Sequence, residues 1–394
     1  MDELGFPVFD MDHHLYEPPD AIAPRLPKHF ANAMQFVDVG GRAKLAVLGK
    51  LIDYMPNPTF ERVAAPGAHE TFYAGKNVDG KTLREMSGRP IDVLPEFQQP
   101  APRLARMDEQ GLANLVIYPT LANLVEYAAM DRPDVVHAVI HALNDWLYET
   151  WSFDYEGRIF ATPVITLALL DEAIAELERV LERGAKIILI RSGPVRGWQG
   201  SRSPALPEFD PFWARVEEAG LPVALHAALP PLEDYVQLWE PADSISAFAQ
   251  SAFKIVALGH REISDMIASL ICHGTLSRFP KLRIASVENG SNWVRPLLDE
   301  LELTYGKMPQ NFAEHPVEVF KRNLWVNPFW EADAGELAVL IGADKVMFGS
   351  DWPHPEGLAE PLSYVKYLDG LDGDLRRKIL SSNAYGFMGL PAPA

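Results

Sequence analysis

The sequence predicts an α/β fold in which eight parallel strands and their helices form a (β/α)8 TIM barrel with a long insertion after the first strand. Apolar runs alternate with amphipathic stretches, which is the pattern of parallel βαβ units. Polar side chains follow several of these runs, at the strand ends where a parallel barrel carries its active site. No G-x-G-x-x-G motif follows a strand, which argues against a dinucleotide-binding sheet.

Eight apolar runs are predicted as the barrel strands: residues 6–12, 113–121, 159–169, 186–193, 222–227, 282–290, 324–330 and 345–353. Between them, residues 170–185 and 210–220 repeat apolar positions at helical spacing. A glycine closes each of these two stretches before the next strand begins, as expected where a helix ends in a repeating α/β unit.

Two segments break this alternation. Residues 40–100 are rich in glycine and proline and are longer than an ordinary βα loop, so we expect a lid or substrate wall on the catalytic face. Residues 192–210 follow the fourth strand and are expected to rise from the same face. No linker, repeat or low-complexity tract interrupts the chain, and we interpret residues 1–394 as one barrel domain.

Composition excludes several classes of partner. The chain has 35 Lys and Arg against 54 Asp and Glu, a formal net charge of -19, and lacks a basic run that could follow phosphates. Nucleic acid is therefore not expected. The single cysteine, Cys272, allows no intramolecular disulfide and is typical of a reducing compartment. Without a signal-like start or an 18-residue apolar window, the sequence predicts no membrane contact and a cytoplasmic location.

Acidic and imidazole side chains end the first, fifth and eighth runs. Asp12 and His14 are two residues apart, so both face the same side of a strand, while His226 and Asp351 end the fifth and eighth runs. Neutral imidazole and carboxylate oxygen are ligands for catalytic zinc, manganese or iron. The simpler alternatives are turn-capping aspartates and histidines that are solvated or hydrogen-bonded in the core.

Three of these strand-end residues are candidates for proton transfer. Asp351 is expected to bind a metal, to take a proton from metal-bound water, or both, and His354 follows it by three residues. Glu288 ends the sixth run as a general acid or base, a further ligand, or the partner of Arg191.

The substrate contacts are predicted from charge and shape. Arg191, at the end of the fourth run, has the geometry to bind a carboxylate with two hydrogen bonds, and Asn289 follows Glu288 in the predicted site. Aromatic residues near strand ends are consistent with a flat apolar substrate, although most large aromatic residues are core residues: Trp198, Trp293, Trp325, Phe329, Trp330 and Trp352.

Five segments spread over nearly the whole chain resemble one family: DMDHHLYEP, RMDEQGLANLVIYPT, LPVALH, RFPKLRIASVENGSNW and GSDWPHPEG. The chain is similar to the amidohydrolase-related enzymes (amidohydrolase family 2) that include aminocarboxymuconate semialdehyde decarboxylase and resorcylate decarboxylase. The resemblance implies a barrel with one divalent ion, commonly zinc or manganese. It matches Asp12 and His14 to the ligand pair of the first strand, His226 to the fifth-strand ligand and Asp351 to the eighth-strand aspartate. Dimers are common among similar enzymes.

The sequence departs from this family at the sixth strand. The well-known decarboxylases have a histidine there that takes part in proton transfer, whereas this chain has Glu288. A glutamate with its ordinary pKa of about 4.3 is ionised at neutral pH. We therefore expect a metal-dependent decarboxylase or related C–C bond-cleaving enzyme for a small carboxylated aromatic or cyclic compound. The alternatives are a hydrolase of an amide, lactone or ester that uses metal-activated water, and a barrel that binds a small molecule without turnover.

Overall fold

The computed structural model describes residues 4–198, 200–228, 235, 236, 238–240, 251–329 and 333–392. Trp330, one of the aromatic residues considered above, lies outside the described residues. The described residues contain seven barrel strands: β1 (Val8–Leu15), β2 (Leu112–Pro119), β3 (Ile159–Ala161), β4 (Ile188–Arg191), β5 (Val223–His226), β6 (Ile284–Val287) and β7 (Leu324–Val326).

The barrel strands form two parallel sheets that are joined by single bridges. One sheet has the order β1-β2-β3, and the other runs from β4 through β5 and β6 to β7. Val164 pairs with Leu189 between the sheets, whereas residues 346–352 bridge β7 and β1 on the other side. The predicted (β/α)8 barrel is thus confirmed, with residues 346–352 in the eighth strand position.

Two predicted strands differ from their observed form for local reasons. The third was predicted over residues 159–169, but β3 ends at Ala161 because Pro163 has no N–H to donate to a ladder. The eighth has only isolated bridges, at Val346 and Trp352, and Asp351 between them has a left-handed backbone with φ of 57°. It still bonds to its neighbours, since Met347 N donates to Val326 O at 2.9 Å and Met11 N donates to Phe348 O at 3.0 Å.

The predicted helices lie between the strands. Residues 170–185 contain a helix over Leu170–Glu182, and residues 210–220 contain one over Asp210–Ala219 that Gly220 closes with φ of 60°. The longer helices among the described residues are Pro100–Gln110, Ala122–Ala129, Pro133–Trp151, Arg261–Cys272, Val294–Lys307, Pro316–Asn323 and Ala334–Ile341. The shorter ones are Glu70–Tyr73, Leu83–Met86, Pro95–Gln98, Ala252–Leu258, Thr275–Arg278, Gly373–Arg377 and Asn383–Met388.

The segment after β1 contains small antiparallel sheets. Met34–Asp38, Ala43–Val47 and Lys50–Ile52 form a three-stranded sheet, and Arg62–Val63 pairs with Ile91–Asp92. Backbone hydrogen bonds join this insertion to the loop after the eighth strand position, from Gly67 N to His354 O at 3.3 Å and from His69 N to Pro355 O at 2.7 Å. The insertion therefore lies against the catalytic face.

The segment after β4 forms a hairpin of Val195–Gly197 and Gly200–Arg202. Across the described ranges, no helix combines the length and the apolarity that are needed to cross a membrane.

Candidate active site

The strand ends bring Asp12, His14, His226 and Asp351 together, and we call these four residues the metal cluster. His14 Nε2 lies 3.0 Å from His226 Nε2 and 3.3 Å from Asp351 Oδ1. Asp12 Oδ1 lies 3.5 Å from His14 Nε2 and 3.4 Å from His226 Nε2. Asp12, His14 and His226 thus offer ligand atoms that lie close to one another, and Asp351 approaches this group through His14. That the four residues bind one metal ion stays a prediction.

The donors of the metal cluster lack the partners that buried polar groups require. Asp12 and Asp351 are fully buried, and among the described residues their carboxylate oxygens accept no hydrogen bond. His226 Nδ1 donates to Ala227 O at 2.9 Å, so Nε2 is the nitrogen that faces the cluster, and it presents a lone pair there when the imidazole is neutral. Buried charged oxygens without partners are costly, and a divalent cation would satisfy them. The donor set fits zinc, manganese or iron.

The electrostatics of the metal cluster also favour positive charge. Burial lowers the pKa of His14 to about 4. Burial acts in the same direction on His226, but the nearby carboxylates of Glu288 and Asp12 outweigh it and raise the pKa of His226 to about 9. Burial opposes ionisation of Asp12 too, yet the two adjacent imidazoles hold the pKa of Asp12 below its usual value. The carboxylates therefore attract a cation into the cluster.

Local backbone structure explains how the first and eighth strand ends approach so closely. Asp351 N donates to Asp12 O at 2.7 Å, which fixes the two carboxylates on adjacent segments. A Cβ at Gly349 would lie 2.5 Å from both Asp12 Cβ and Asn327 Nδ2. Only glycine permits this approach, so the Gly-Ser-Asp sequence at residues 349–351 has a packing reason.

Asp351 and His354 form a contact pair at the edge of the metal cluster. His354 Nδ1 lies 2.9 Å from Asp351 Oδ1. Thr120 Oγ1 donates to Leu15 O at 2.6 Å and so accepts from His354 Nε2 at 3.0 Å. Burial and nearby carboxylates raise the pKa of Asp351 well above its usual value, while burial lowers the pKa of His354. His354 Nε2 thus carries a proton, and in the neutral ring Nδ1 presents a lone pair to Asp351.

Glu288 completes the carboxylate set around the imidazoles. Its Oε2 lies 3.1 Å from His226 Nε2 and 4.0 Å from His14 Nε2, and 16% of its side chain is exposed. Its backbone is left-handed, with φ of 59°. Such strained positions for residues other than glycine concentrate at functional sites.

A cavity of about 170 Å³ opens beside the metal cluster. The insertion supplies one wall, and the loop after the eighth strand position supplies His354 and Glu356. Much of the lining is aromatic and comes from Tyr16, Tyr54, Phe60 and Tyr73. The cavity is therefore bounded largely by aromatic rings and reaches the metal cluster through His354, which contacts Asp351.

The model of the amidohydrolase family matches residues 9–390. The chain belongs to this family of enzymes. The family resemblance inferred from the sequence motifs is confirmed, and the match extends over both ends of the barrel.

Three similar proteins illustrate the family. The crystal structure of an amidohydrolase from Mycobacterium avium subsp. paratuberculosis K-10 is 37% identical, with a TM-score of 0.92 over 98% of this chain and 100% of that chain. The 2-amino-3-carboxymuconate-6-semialdehyde decarboxylase of Dictyostelium discoideum is 23% identical and covers 79% of this chain and 81% of its own length. A dihydroxybenzoic acid decarboxylase from Polaromonas sp. JS666, with bound manganese and an inhibitor, is 19% identical; its TM-score is 0.58 over 84% of this chain and 95% of that chain.

Within this amidohydrolase fold, Arg191 belongs to a second buried cluster, which we call the arginine cluster and which comprises Arg191, Glu126, Thr166 and Glu262. Arg191 Nε lies 3.7 Å from Glu126 Oε1, which accepts from Thr166 Oγ1 at 3.0 Å. Arg191 Nη1 and Glu262 Oε1 lie 3.1 and 3.6 Å from the position of a Cβ at Gly193. The role of Arg191 in binding a substrate carboxylate stays a prediction.

The other predicted substrate contacts are buried at strand ends. Trp352 is 2% exposed and packs on Phe97, with ring centroids 5.2 Å apart, and on Arg103. Asn289 Nδ2 donates to Leu225 O at 3.1 Å and to Val287 O at 2.8 Å, so it joins the ends of β5 and β6. Their contacts with substrate also stay predictions.

The remaining aromatic residues do not share one location, and of them Phe329 lies beside the cavity. Trp198 is 68% exposed, Trp293 Nε1 donates to Gly290 O at 3.1 Å, and Trp325 packs under Lys345. Phe329 lies beside the cavity residue Tyr73, with ring centroids 6.1 Å apart.

The sequence did not identify several residues that the structure places at the site. Thr120 orients His354, while Tyr16, Tyr73 and Glu356 line the cavity. Thr120 directly follows β2, so its strand-end position is a signal that could have identified it. The cavity residues depend on how the insertion packs, for which the sequence carries no local signal.

Proposed function

We propose that this protein is a divalent-metal-dependent decarboxylase that acts on small carboxylated aromatic or cyclic compounds. The observation that carries the proposal is the metal cluster: Asp12, His14 and His226 offer ligand atoms within 4.8 Å of one another, and Asp351 Oδ1 lies 3.3 Å from His14 Nε2. Within the described residues, the carboxylate oxygens of Asp12 and Asp351 accept no hydrogen bond. The decarboxylases among the similar proteins support the reaction, and the manganese of one of them supports the choice of a divalent ion.

The metal cluster would hold zinc or manganese, with iron as a third choice. The ion would supply positive charge that stabilises negative charge developing on the substrate. Asp12 and His14 from β1, His226 from β5 and Asp351 would hold it.

We assign delivery of the reaction's proton to the residues that lie between the metal cluster and the cavity. His354 lines the cavity and shares a short contact with Asp351, so this pair is placed to deliver a proton to a ring carbon. Glu288, beside His226, is the second candidate. When the ring carbon gains the proton, its bond to the carboxylate breaks, the electron pair of that bond returns to the ring and carbon dioxide leaves.

The cavity supports an aromatic substrate. Its rings from Tyr16, Tyr54, Phe60 and Tyr73 give a flat substrate apolar surfaces to stack against. We propose that residues 40–100 act as the substrate wall of a single barrel domain, because they supply most of this lining.

Hydrolysis of an amide, lactone or ester is the second candidate. It is favoured by Glu288, which stands where the well-known decarboxylases have a histidine, since a carboxylate close to two imidazoles is also suited to accept a proton from water.

Metal analysis combined with product analysis tests the proposal. We expect about one equivalent of zinc, manganese or iron in the purified protein and its loss in His226→Ala, because His226 supplies a central donor. His273→Ala is the matched control, since His273 is exposed and contacts Ser203. With hydroxylated benzoic acids such as 2,6-dihydroxybenzoate, we expect carbon dioxide release that depends on the metal.

Two outcomes would contradict the proposal. A wild-type protein that takes up no divalent ion, even after reconstitution, would exclude a metal-dependent reaction. Metal-dependent cleavage of esters or lactones, with no carbon dioxide from any carboxylated aromatic, would favour hydrolysis instead.

A further inference from the structure

Arg103 is a fully buried cation whose hydrogen bonds go to uncharged acceptors. Nε donates to Glu96 O at 2.7 Å, Nη2 donates to His14 O at 2.7 Å, and Nη1 donates to His13 Nδ1 at 3.2 Å. A buried charge is costly unless its contacts compensate for the lost water. The contacts of Arg103 lead directly to the strand that carries Asp12 and His14.

A chain of hydrogen bonds extends from Arg103 to both metal-binding segments. An arginine can only donate, so His13 Nδ1 accepts from it and His13 Nε2 carries the proton. His13 Nε2 then donates to Asp10 Oδ2 at 3.0 Å. Asp10 Oδ1 accepts from the backbone N–H groups of Asp12 and Ser350, each at 3.0 Å. The chain therefore ends beside both carboxylates of the metal cluster.

We propose that Arg103 is a positioning residue for the metal cluster. Through the carbonyl of His14, and through His13 and Asp10, it fixes the end of β1 relative to the eighth strand position. The ring of Trp352, 4.7 Å from the guanidinium, adds a contact to that second segment. The inference rests on the proposed metal site. It predicts that the affinity and geometry of the bound ion depend on a residue that touches neither ion nor substrate.

The same residue connects the insertion to the metal cluster. Glu96, which accepts from Arg103, lies in the helix Pro95–Gln98, and the next residue, Phe97, accepts from Tyr16 N at 3.0 Å. Tyr16 lines the cavity. Arg103 therefore holds the cavity wall and the metal-binding strand in one hydrogen-bonded unit.

Binding of Co²⁺ to the metal-free full-length protein tests the inference, with the Kd and the visible absorption bands of the bound ion as readouts. We expect Arg103→Met to weaken Co²⁺ binding about 10- to 100-fold and to shift the bands. Arg103→Lys should be intermediate, because lysine keeps the charge but cannot form the same fork of hydrogen bonds. Arg106→Met is the matched control on the same helix, since Arg106 pairs with Glu109 and Glu360 at the surface.

Asp10→Asn provides an independent test if Arg103→Met does not fold. The amide oxygen still accepts from the two backbone N–H groups, but its NH2 faces the proton on His13 and breaks the chain. We expect weaker Co²⁺ binding and shifted bands in this variant as well.

Wild-type Kd and wild-type bands in Arg103→Lys and Asp10→Asn would overturn the inference while leaving the metal site intact. A wild-type protein that binds no Co²⁺ would overturn the proposed function and the inference with it. Loss of binding in His226→Ala, measured in parallel, shows that the ion occupies the metal cluster.

Discussion

The metal cluster and the arginine cluster begin at neighbouring residues, and both bury carboxylates. They differ in how the negative charge of those carboxylates is compensated. His226 on β5 and Arg191 on β4 are paired in register. From His226 the side chains lead to Asp12 and Asp351, and from Arg191 they lead to carboxylates on the helices after β2 and β5. Both clusters bury carboxylates that have oxygens without a hydrogen-bond partner among the described residues.

The difference lies in the source of positive charge. The arginine cluster contains its own guanidinium, with a charge that no accessible pH removes. The metal cluster contains only imidazoles, whose nitrogens can present lone pairs. A buried carboxylate requires a cation or a proton, so the metal cluster either holds protons or takes a cation from solution in their place. Under the proposed function, this comparison separates a metal-binding centre from an ion pair that supplies its own charge, although both clusters begin at strand ends that look alike in sequence.

The largest expected effect concerns Glu288, which lies beside the metal cluster. Glu288→Gln preserves shape but removes a proton-transfer group, so we expect bound metal to remain and turnover to fall about 100-fold or more. Parallel metal analysis and rate measurement with the best carboxylated aromatic substrate check this. Loss of the metal would instead make Glu288 a ligand, and an unchanged rate would confine it to a structural role.

The second prediction tests whether the arginine cluster is self-contained. Arg191→Met leaves Glu126 and Glu262 buried without their cation, so we expect the free energy of unfolding to fall by about 3–5 kcal/mol, with unchanged metal content. Urea denaturation measures this. Arg196→Met is the control, because Arg196 pairs with Asp131 at the surface and its loss should cost at most about 1 kcal/mol.

A different result would restore Arg191 to the substrate site. Unchanged stability together with a raised KM for a carboxylated substrate would show that its guanidinium binds substrate, as the sequence suggested. The arginine cluster would then no longer be a self-contained ion pair, and its contrast with the metal cluster would not hold.

The barrel and the metal cluster were accessible from sequence because both follow local rules. Strands buried on both faces are continuous apolar runs, and polar residues interrupt or end them: Asp12 lies within β1, His226 is the last residue of β5, and Asp351 lies in the eighth strand position. The spacing of Asp12 and His14 placed both on one side of β1. The third strand was predicted to be too long, and the reason is local: Pro163 has no N–H group to continue the hydrogen-bond ladder.

The burial of Arg103, the partners of Arg191 and the lining of the cavity could not be predicted from the sequence, because they depend on contacts between distant parts of the chain. Arg103 lies on a helix whose sequence, PAPRLARMDEQ, gives no reason to bury one of its two arginines and expose the other. Whether Arg191 meets Glu288, Glu126 or Glu262 depends on the direction in which two helices leave the barrel. The lining of the cavity depends on the fold of the insertion, whose short strands lack a long periodic pattern.

The third expected effect appears only as pH rises and concerns Glu17, a buried carboxyl that contacts no arginine among the described residues and instead keeps a proton. Its Oε1 accepts from Leu121 N at 2.9 Å, while burial raises the pKa of Glu17 to about 8. The folded protein thus binds a proton that the unfolded chain, with a pKa of about 4.3, releases. Stability from this group is present below about pH 4.3 and is lost as pH rises toward 8, at up to about 1.4 kcal/mol per pH unit.

Glu17→Gln should therefore remove this decline. We expect the variant and the wild type to have similar free energies of unfolding near pH 4.5, and the variant to become the more stable of the two as pH approaches 8. Urea denaturation of the metal-loaded proteins across this range provides the measurement, and Glu172→Gln, at an exposed position, should follow the wild-type curve. Parallel curves for Glu17→Gln and wild type would mean that Glu17 is ionised in the folded protein. Its charge would then need a cation, and the metal cluster would no longer be the distinctive case.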